Sequence, residues 1–556
     1  MIGLHYILIS WLTPFVEYSV FFGLVAGISG FFALSMHQKE KKISEFIFFC
    51  IFGICLLSPI GFFLLRIYSP YNSNLELILF LISSVVGLIV GFFLERKFMD
   101  KVNKALAKST KKSELERDKK TDIRKINTIS QTQTETYNPI EYMKKDSDSW
   151  FIGLNEQGKP LYFEEKNLPH VEVCGTTGSG KGVVLGVIVS QCIARKEAVF
   201  ILDPKNDEWL PHVAKAAADE VGEKYNFIDL TADEFQFNLF EDATSAEVEE
   251  LLIAGFELGD KGQASDFYKI ADRKMARFIS EQMKYGETAQ SLYVQYSAFL
   301  EKEAPGFAGK FRELAEITAV NAKSGISLKQ IIENGGMAYI VGSMRNTKIT
   351  RIQKMLLVRL IQLAEARDRM SGNLRQVCIV LDELKYHLSR IALEALGAAR
   401  DKGVHVVMAH QSVADLRDCP QDLEPDAVVG AVLENTRIKI VYRVEMPETA
   451  EIFAKKSGTI LVDDEVRFVE RSLSLADQMK PHRHVKQAER FLVDENMFLS
   501  LPHRCCVVFG IGLPKKIYTS PYVAKKTKEA IEVIKSETVD ENVKKELMEI
   551  DFEKLG

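Results

Sequence analysis

The chain has 556 residues, a formal net charge of −5 at pH 7 and eight cysteines. This length exceeds what one hydrophobic core usually serves, so several domains are expected. The small net charge excludes a chain-wide nucleic-acid-binding signature. No two cysteines form a CxxC pair, which favours buried thiols in a reducing compartment over a disulfide or zinc framework.

The N-terminal part of the chain, residues 1–95, is predicted to be a membrane anchor. Three charge-free apolar stretches, at 18–36, 46–65 and 77–94, approach the length needed to cross a bilayer. Basic residues follow the first and third stretches, which places both flanks in the cytoplasm and the N-terminus outside. The apolar segment 2–15 is short and contains Pro14. It either lies at the membrane interface or adds a partial span to the three predicted. These features predict a multi-pass membrane protein whose basic flanks lie in the cytoplasm.

Residues 96–137 are polar and rich in lysine, which predicts a basic stalk and linker. A hairpin is predicted at 150–163, with its turn at 155–158. From residue 168 onward, apolar strand-like runs alternate with helical segments, the pattern of a mostly parallel sheet with helices on both faces. The predicted strands are 171–174, 198–202, 225–230, 337–341, 376–381, 404–409, 436–442 and 505–510.

One interval breaks this alternation. Residues 242–334 contain four successive helical patterns, at 245–257, 264–284, 289–303 and 307–320. We therefore predict an α/β domain formed by residues 138–241 and 335–524, with an all-α domain inserted at 242–334. A short helical tail of mixed charge is predicted for residues 525–556, without a long acidic tail for docking other proteins.

A phosphate-binding loop is predicted between the strand 171–174 and the helix that follows it. A strand, a glycine-rich turn and a helix N-terminus aim several backbone N–H groups at one point, and a lysine ammonium there reaches the outer phosphates. Gly182 stands where a Ser or Thr hydroxyl would bind Mg²⁺, so how the metal is held stays open. The predicted loop residues are Gly175, Thr176, Thr177, Gly178, Ser179, Gly180, Lys181, Gly182 and Val183.

Two adjacent carboxylates, Asp382 and Glu383, follow the apolar strand 376–381. Strands that end in acidic residues are common at solvated surfaces. Together with a phosphate loop, however, the first acid is typical of an Mg²⁺ site and the second of a group that polarises the attacking water. We therefore predict that Asp382 belongs to the Mg²⁺ site and that Glu383 polarises the attacking water.

Polar residues also follow two other strands, and the carboxyl ends of parallel strands share one edge of a sheet. Gln411 would lie there near the γ-phosphate, whereas His410 beside it is predicted to be structural. Asp203 and Lys205 follow the strand 198–202 and would line the same edge. A simple turn explains this second pair equally well.

These motifs together resemble the coupling-protein ATPases of bacterial conjugation and type IV secretion, the TraG/TraD-like family. The matching features are the phosphate loop ending in Gly-Lys-Gly, Asp-Pro-Lys at 203–205, Leu-Asp-Glu at 381–383, and Lys402-Gly403 before the strand that ends in Gln411. The resemblance implies a RecA-like domain, ATP and Mg²⁺ as cofactors and a homo-oligomer, expected to be a hexamer. The implied partners are DNA, a relaxase or effector proteins, type IV secretion channel proteins and membrane lipid. The implied location is the bacterial inner membrane, with several spans and the ATPase domain in the cytoplasm.

The resemblance also implies an arginine that acts on the active site of a neighbouring subunit. The family's position falls on Arg400, and Arg437 is the second candidate. A cation at a subunit edge can stabilise charge on a transferring phosphate. An arginine at a helix end is also favoured by the helix dipole alone, so the structural interpretation stays open.

Three functions are compatible with the sequence. The first is an ATPase that drives DNA, protein or both into a type IV secretion or conjugation channel. The second is an FtsK-like DNA translocase, although no winged-helix module is apparent after the α/β domain. The third is a membrane receptor or scaffold that binds nucleotide with little turnover, against which Asp382 and Glu383 argue.

Overall fold

The computed structural model of the chain describes residues 2–38, 42–68, 74–109, 136–144, 147–262, 266–368, 374–471 and 477–534. These residues divide into two compact units, 1–114 and 115–556. Residues 110–135 of the stalk and linker predicted at 96–137, and residues 535–556 of the tail predicted at 525–556, lie outside the described residues.

The described residues of the first unit form five largely apolar helices. Two stretches, Phe46–Ile67 and Leu75–Leu94, are long and apolar enough to cross a membrane. Ser10–Glu17 and Ser19–Ser35 form a third candidate if this pair, bent by 73°, is one span. The helices are α1 (Ile2–Glu17), α2 (Ser19–Gln38), α3 (Lys42–Cys55), α4 (Leu57–Tyr68) and α5 (Leu75–Ser109).

Large apolar side chains of this unit face outward, as expected for helices that contact lipid. Phe21, Phe49 and Phe93 each expose more than half of their surface. Within the unit, α2 packs closely on α5 because glycines leave room for the opposing backbone. A β-carbon at Gly27 would lie 2.1 Å from the carbonyl oxygen of Ser84.

The second unit is built on one mixed sheet of eleven strands, in the order β2-β1-β13-β12-β9-β3-β8-β7-β4-β6-β5. The seven strands from β9 to β5 are parallel, and the other four pair antiparallel. The strands of the parallel part are β3 (Val171–Cys174), β4 (Ala198–Asp203), β5 (Tyr225–Asp229), β6 (Gly336–Val341), β7 (Val377–Leu381), β8 (Val404–His410) and β9 (Ile438–Val441). We call the side where these strands end the carboxyl edge, and the opposite side the amino edge.

The four antiparallel strands extend the sheet beyond β9. The predicted hairpin is formed by β1 (Trp150–Asn155) and β2 (Pro160–Phe163), and the other two strands are β12 (Cys505–Phe509) and β13 (Lys515–Tyr518). A separate two-stranded ribbon, β10 (Thr459–Arg471) and β11 (Asp477–Phe491), was not predicted from the sequence.

Helices cover both faces of the sheet, and each face has its own hydrophobic core. On one face pack α6 (Lys181–Ala194) and α7 (Leu210–Val221). The other face is covered by the helices between β5 and β6 and by those that follow β6, β7 and β8. These are α8 (Ser245–Phe256), α9 (Asp266–Gln282), α10 (Ala289–Glu303), α11 (Pro305–Ala315), α12 (Leu328–Asn334), α13 (Thr347–Glu365), α14 (Arg390–Ala399), α15 (Val413–Arg417) and α16 (Pro425–Asn435), joined by α17 (Pro447–Lys456) and α18 (Glu495–Ser500).

The predicted α/β class with a mostly parallel sheet is confirmed. The four helices predicted within 242–334 are present as α8 to α11, and their apolar side chains share one core with the sheet. The division of the chain into the five predicted segments remains a prediction. In the predicted tail, the described part contains only a short 3₁₀ turn at Lys528–Ile531.

Candidate functional site

The predicted phosphate loop joins β3 to α6 at the carboxyl edge. Gly178 and Gly180 have φ angles of 74° and 122°, a region that favours glycine, and α6 begins directly after Gly180. A β-carbon at Gly180 would lie 3.0 Å from Cα of Arg504, so this glycine also allows two backbone segments to meet. Gly182 faces open space, since a β-carbon there would meet no atom within 4 Å.

The lysine of this loop, Lys181, is buried and lies against the loop itself. Its ammonium donates to the carbonyl oxygens of Gly175 and Thr176. Burial lowers the pKa of Lys181, and the carboxylate of Glu383 opposes that effect. The loop therefore places a lysine ammonium at a helix N-terminus, and both groups attract anions.

Three further strand ends bring the predicted polar residues to the same place. Lys205, after β4, forms an ion pair with Glu383, and its Nζ lies 3.5 Å from Oδ2 of Asp382. Gln411, after β8, donates from Nε2 to Oε1 of Glu383 over 2.9 Å. The structure thus brings together Lys181, Lys205, Asp382, Glu383 and Gln411, as the strand-end argument predicted.

The two acids of this cluster differ in their ionisation. Burial raises the pKa of Asp382 to about 6, although the charge of Lys205 lowers it. Burial would also raise the pKa of Glu383, but hydrogen bonds from Lys205 and Gln411 outweigh it and hold the pKa below its usual value. Glu383 is therefore ionised at neutral pH and kept in one orientation.

Asp203 has a different position from the one predicted. It is buried and does not line the pocket beside the loop. Its carboxylate accepts from the backbone N–H groups of Lys205, Asn206 and Asp207 at 2.6–3.1 Å, and from the hydroxyl of Tyr339 at 2.5 Å. In this geometry, Asp203 orders the turn that carries Lys205.

The predicted arginines lie at the amino edge, away from the phosphate loop of the same chain. Arg400 is exposed directly after α14 and shortly before β8 begins, and its side chain forms no salt bridge within the described part of the chain. Arg437 precedes β9, pairs with Glu165 at 2.6 Å and lies over the ring of Phe163. Arg400 is thus the more available of the two.

His410 has the structural position that the sequence predicted. It is buried at the end of β8, where Nε2 lies 2.9 Å from Oε1 of Glu172 and Nδ1 lies 3.0 Å from the carbonyl oxygen of Ser412. Both ring nitrogens therefore have partners inside the protein, and neither is available to a ligand.

A pocket of about 630 Å³ opens beside the phosphate loop and is lined by Lys181, Lys205 and Asp382. This volume lies in the range usual for sites that bind small molecules. Part of its wall comes from residues that were not predicted from the sequence, because none of them belongs to a motif that marks a ligand site. They are Leu185, Gly186, Asp207, Trp209, Leu210, Val213, His503, Pro521, Tyr522, Val523 and Ala524.

The role of Tyr339 beneath the site can be measured as stability. We predict that Tyr339→Phe lowers the free energy of unfolding by about 1.5 to 3 kcal/mol, because the lost hydrogen bond goes to a buried carboxylate. Tyr442→Phe is the matched control, since its buried hydroxyl contacts the neutral hydroxyl of Thr519 at 3.0 Å. It should cost about 1 kcal/mol. Denaturant unfolding of the full chain in detergent measures both, and equal losses would contradict the assigned role of Asp203.

Two family models match the chain. Residues 139–415 match the FtsK/SpoIIIE family, and residues 376–503 match the TraM recognition site of TraD and TraG. Mobilization protein A of Escherichia coli is 31% identical over 324 residues, which cover 57% of this chain and 60% of that protein. The chain thus spans less than two thirds of the length of this relative.

Two solved structures share the fold. The conjugative coupling protein TrwBdeltaN70 superimposes with a TM-score of 0.54 at 16% identity, over 72% of this chain and 93% of that chain. The coupling protein TrwB in complex with ADP and Mg²⁺ gives a TM-score of 0.52 at 16% identity, over 70% of this chain and 93% of that chain. Family models, relative and fold together confirm the predicted resemblance to the coupling proteins of bacterial conjugation.

Proposed function

We propose that this chain is a membrane-anchored ATPase that couples substrates to a type IV secretion or conjugation channel. The observation that carries the proposal is the meeting of a phosphate loop with Lys205, Asp382, Glu383 and Gln411 at one edge of the sheet. The match of residues 376–503 to the TraM recognition site of TraD and TraG supports the coupling role.

ATP is the proposed nucleotide, and the phosphate loop is its proposed anchor. The backbone N–H groups of residues 175–183 and the ammonium of Lys181 would bind its phosphates. The nucleoside would extend along the pocket toward Trp209 and the segment 521–524, which supply an aromatic ring and apolar side chains. Of the predicted binding residues, Asp203 would act only through the turn that it orders.

Mg²⁺ is the proposed metal, and Asp382 is its proposed protein contact. The carboxylate of Asp382 lines the pocket, and the open space beside Gly182 leaves room for a water molecule where related loops place a hydroxyl. Mg²⁺ keeps several waters when it binds proteins, so this donor set fits it. When bound, the metal would neutralise charge on the phosphates.

Glu383 is the proposed base for the attacking water. It stays ionised at neutral pH, and Lys205 and Gln411 fix its carboxylate by an ion pair and a hydrogen bond. Gln411 would therefore link the γ-phosphate to the position of Glu383. Lys205 would balance the charge of the two acids before the phosphates arrive.

Arg400 is proposed to act on the site of a neighbouring subunit. It lies at the amino edge, whereas the phosphate loop of the same chain lies at the carboxyl edge. An exposed arginine on that side can reach an active site only in another copy. This geometry supports a ring-shaped homo-oligomer, for which we propose six subunits.

The proposed location is the bacterial inner membrane, with several spans and the ATPase in the cytoplasm. The two or three candidate spans of the first unit support this location. The proposed partners are DNA with its relaxase or effector proteins, and the proteins of the channel. Mobilization protein A, as a relative, supports a role in DNA mobilisation.

An FtsK-like translocase is the second candidate, favoured by the match of residues 139–415 to the FtsK/SpoIIIE family. The match to the TraM recognition site and the fold shared with TrwB favour the coupling role. Movement on duplex DNA in a direction set by its sequence would support the translocase.

The first test is ATP hydrolysis by the full chain in lipid, with and without single-stranded DNA. We expect Lys181→Ala to lose nucleotide binding, and Glu383→Gln to bind ATP but to turn over at least about 100-fold more slowly. Lys329→Ala is the control, because Lys329 lies on α12, pairs with Asp242 and does not line the pocket. Undiminished hydrolysis in Lys181→Ala would overturn the proposal. ATP binding without turnover by the unaltered chain would instead indicate a scaffold.

The pH profile tests the charge balance of the site. Hydrolysis that needs an ionised Asp382 should fall as the pH drops through its pKa of about 6. Because the charge of Lys205 lowers that pKa, Lys205→Ala should move the acidic limb of kcat/KM to higher pH. Lys205→Arg, which keeps the cation, should leave the limb near pH 6. An unmoved limb in Lys205→Ala would contradict the coupling between the two residues.

Mixing two inactive variants tests Arg400. Arg400→Ala should leave ATP affinity nearly unchanged and reduce turnover on the order of 10³-fold, as arginine fingers do elsewhere. In a ring that also contains Glu383→Gln subunits, some interfaces pair an intact Arg400 with an intact Glu383, so partial activity should return. A mixed ring that forms but stays inactive would show that Arg400 acts within its own subunit or only structurally, and Arg437 would then be the next candidate.

A further inference from the structure

Four potential metal ligands converge at the amino edge, on the face of the sheet that α6 covers. They are Cys192, Glu197, Cys378 and His405, all buried, and their ligand atoms lie within 4.8 Å of one another. The sequence favoured core thiols over a zinc framework, because no two cysteines form a CxxC pair. The fold brings two of them together.

Sheet register explains how the four side chains meet. Cys378 of β7 and His405 of β8 are direct partners in neighbouring parallel strands, so their side chains stand side by side on one face. Glu197 lies immediately before β4, the strand on the other side of β7. Cys192, in the last turn of α6, reaches the same three side chains from the helix that covers this face of the sheet.

The distances match those of a tetrahedral metal site. Nε2 of His405 lies 3.7 Å from Sγ of Cys192 and 3.3 Å from Oε2 of Glu197. Around a tetrahedral Zn²⁺, normal bond lengths place sulfur and nitrogen about 3.5 Å apart, and nitrogen and oxygen about 3.4 Å apart. One ring nitrogen therefore faces a sulfur and a carboxylate oxygen at the spacing that a shared metal produces.

The hydrogen bonding of the cluster also points to a ligand. Oε2 of Glu197, on a side chain that is only 6% exposed, accepts no hydrogen bond within the described part of the chain. Nδ1 of His405 likewise has no partner among the described residues. A plain ion pair would bury a charged imidazolium with one N–H unsatisfied, which is costly. A metal would be bound by a neutral imidazole and by this carboxylate oxygen, which lies 3.3 Å from Nε2 of His405 without a hydrogen bond between them.

We propose that Cys192, Glu197, Cys378 and His405 form a structural Zn²⁺ site. Two thiolates, one imidazole and one carboxylate make a closed set of four ligands with no position left for substrate, as in structural zinc sites. Trp150, whose ring lies beside that of His405, and Arg195, which covers Trp150, separate the cluster from solvent. The site would bind together α6, β4, β7 and β8, and this inference does not depend on the proposed ATPase activity.

Metal content of the full chain tests the proposal. The protein is purified in detergent without a histidine tag or chelator and is then incubated with Zn²⁺. After unbound metal has been removed by desalting, inductively coupled plasma mass spectrometry measures the zinc per chain. We expect one Zn²⁺ per chain, and a loss of at least tenfold in Cys378→Ser. Cys506→Ser, which alters an equally buried thiol outside the cluster, should keep the metal.

Cobalt provides a readout that does not depend on a variant folding. Co²⁺ bound to the unaltered chain should give the intense visible bands of tetrahedral coordination and a thiolate charge-transfer band in the near ultraviolet. Addition of Zn²⁺ should abolish both. Less than a tenth of an equivalent of zinc in the unaltered chain overturns the proposal, as would Co²⁺ without a thiolate band or a disulfide between Cys192 and Cys378.

Discussion

The candidate site depends on a balance of buried charges. Lys181, Asp382 and Glu383 are buried at the ends of strands, and the half-buried Lys205 pairs with the two acids there. Charges withdrawn from water need partners, because an unpaired buried charge costs several kcal/mol. Each member of the cluster therefore fixes the others. An arriving phosphate would compete for the two ammonium groups and would change the position of both carboxylates.

The backbone at Glu383 shows how tightly this position is determined. Its φ of 49° lies in the left-handed region, which residues other than glycine seldom adopt without support. The support comes from both sides of the turn. His387, which burial keeps neutral by lowering its pKa to about 4, contacts the carbonyl oxygen of Asp382 at 3.0 Å. Lys205 and Gln411 hold the side chain, so the strain is located at the residue proposed to activate water.

The strands of the parallel sheet could be predicted because they are short apolar runs that end in polar residues. The same argument placed Lys205, Asp382, Glu383 and Gln411 together, which the structure confirms. The ribbon β10–β11 could not be predicted in this way, because its sequence is charged and lacks regular apolar alternation. Contacts between segments that are far apart in the chain could not be predicted either. The pocket wall at 521–524 and the pairing of Cys192 with Cys378 depend on the assembled sheet rather than on local pattern.

The strands β7 and β8 run from the amino edge to the carboxyl edge, and each carries or leads into residues of both proposed sites. Side chains two residues apart in a strand share a face, so Cys378 of β7 and His405 of β8 are both on the α6 side of the sheet. Asp382 and Gln411 follow directly after the ends of these two strands, and Asp382 lines the pocket beside α6. The helix α6 itself begins at Lys181 and carries Cys192 in its last turn. The elements that meet in the proposed zinc site at the amino edge are thus those that carry the phosphate loop, the proposed Mg²⁺ contact and Gln411 at the carboxyl edge. A metal at the amino edge would fix the relative register of these elements, and it would thereby limit how far Lys181, Asp382 and Gln411 can move apart.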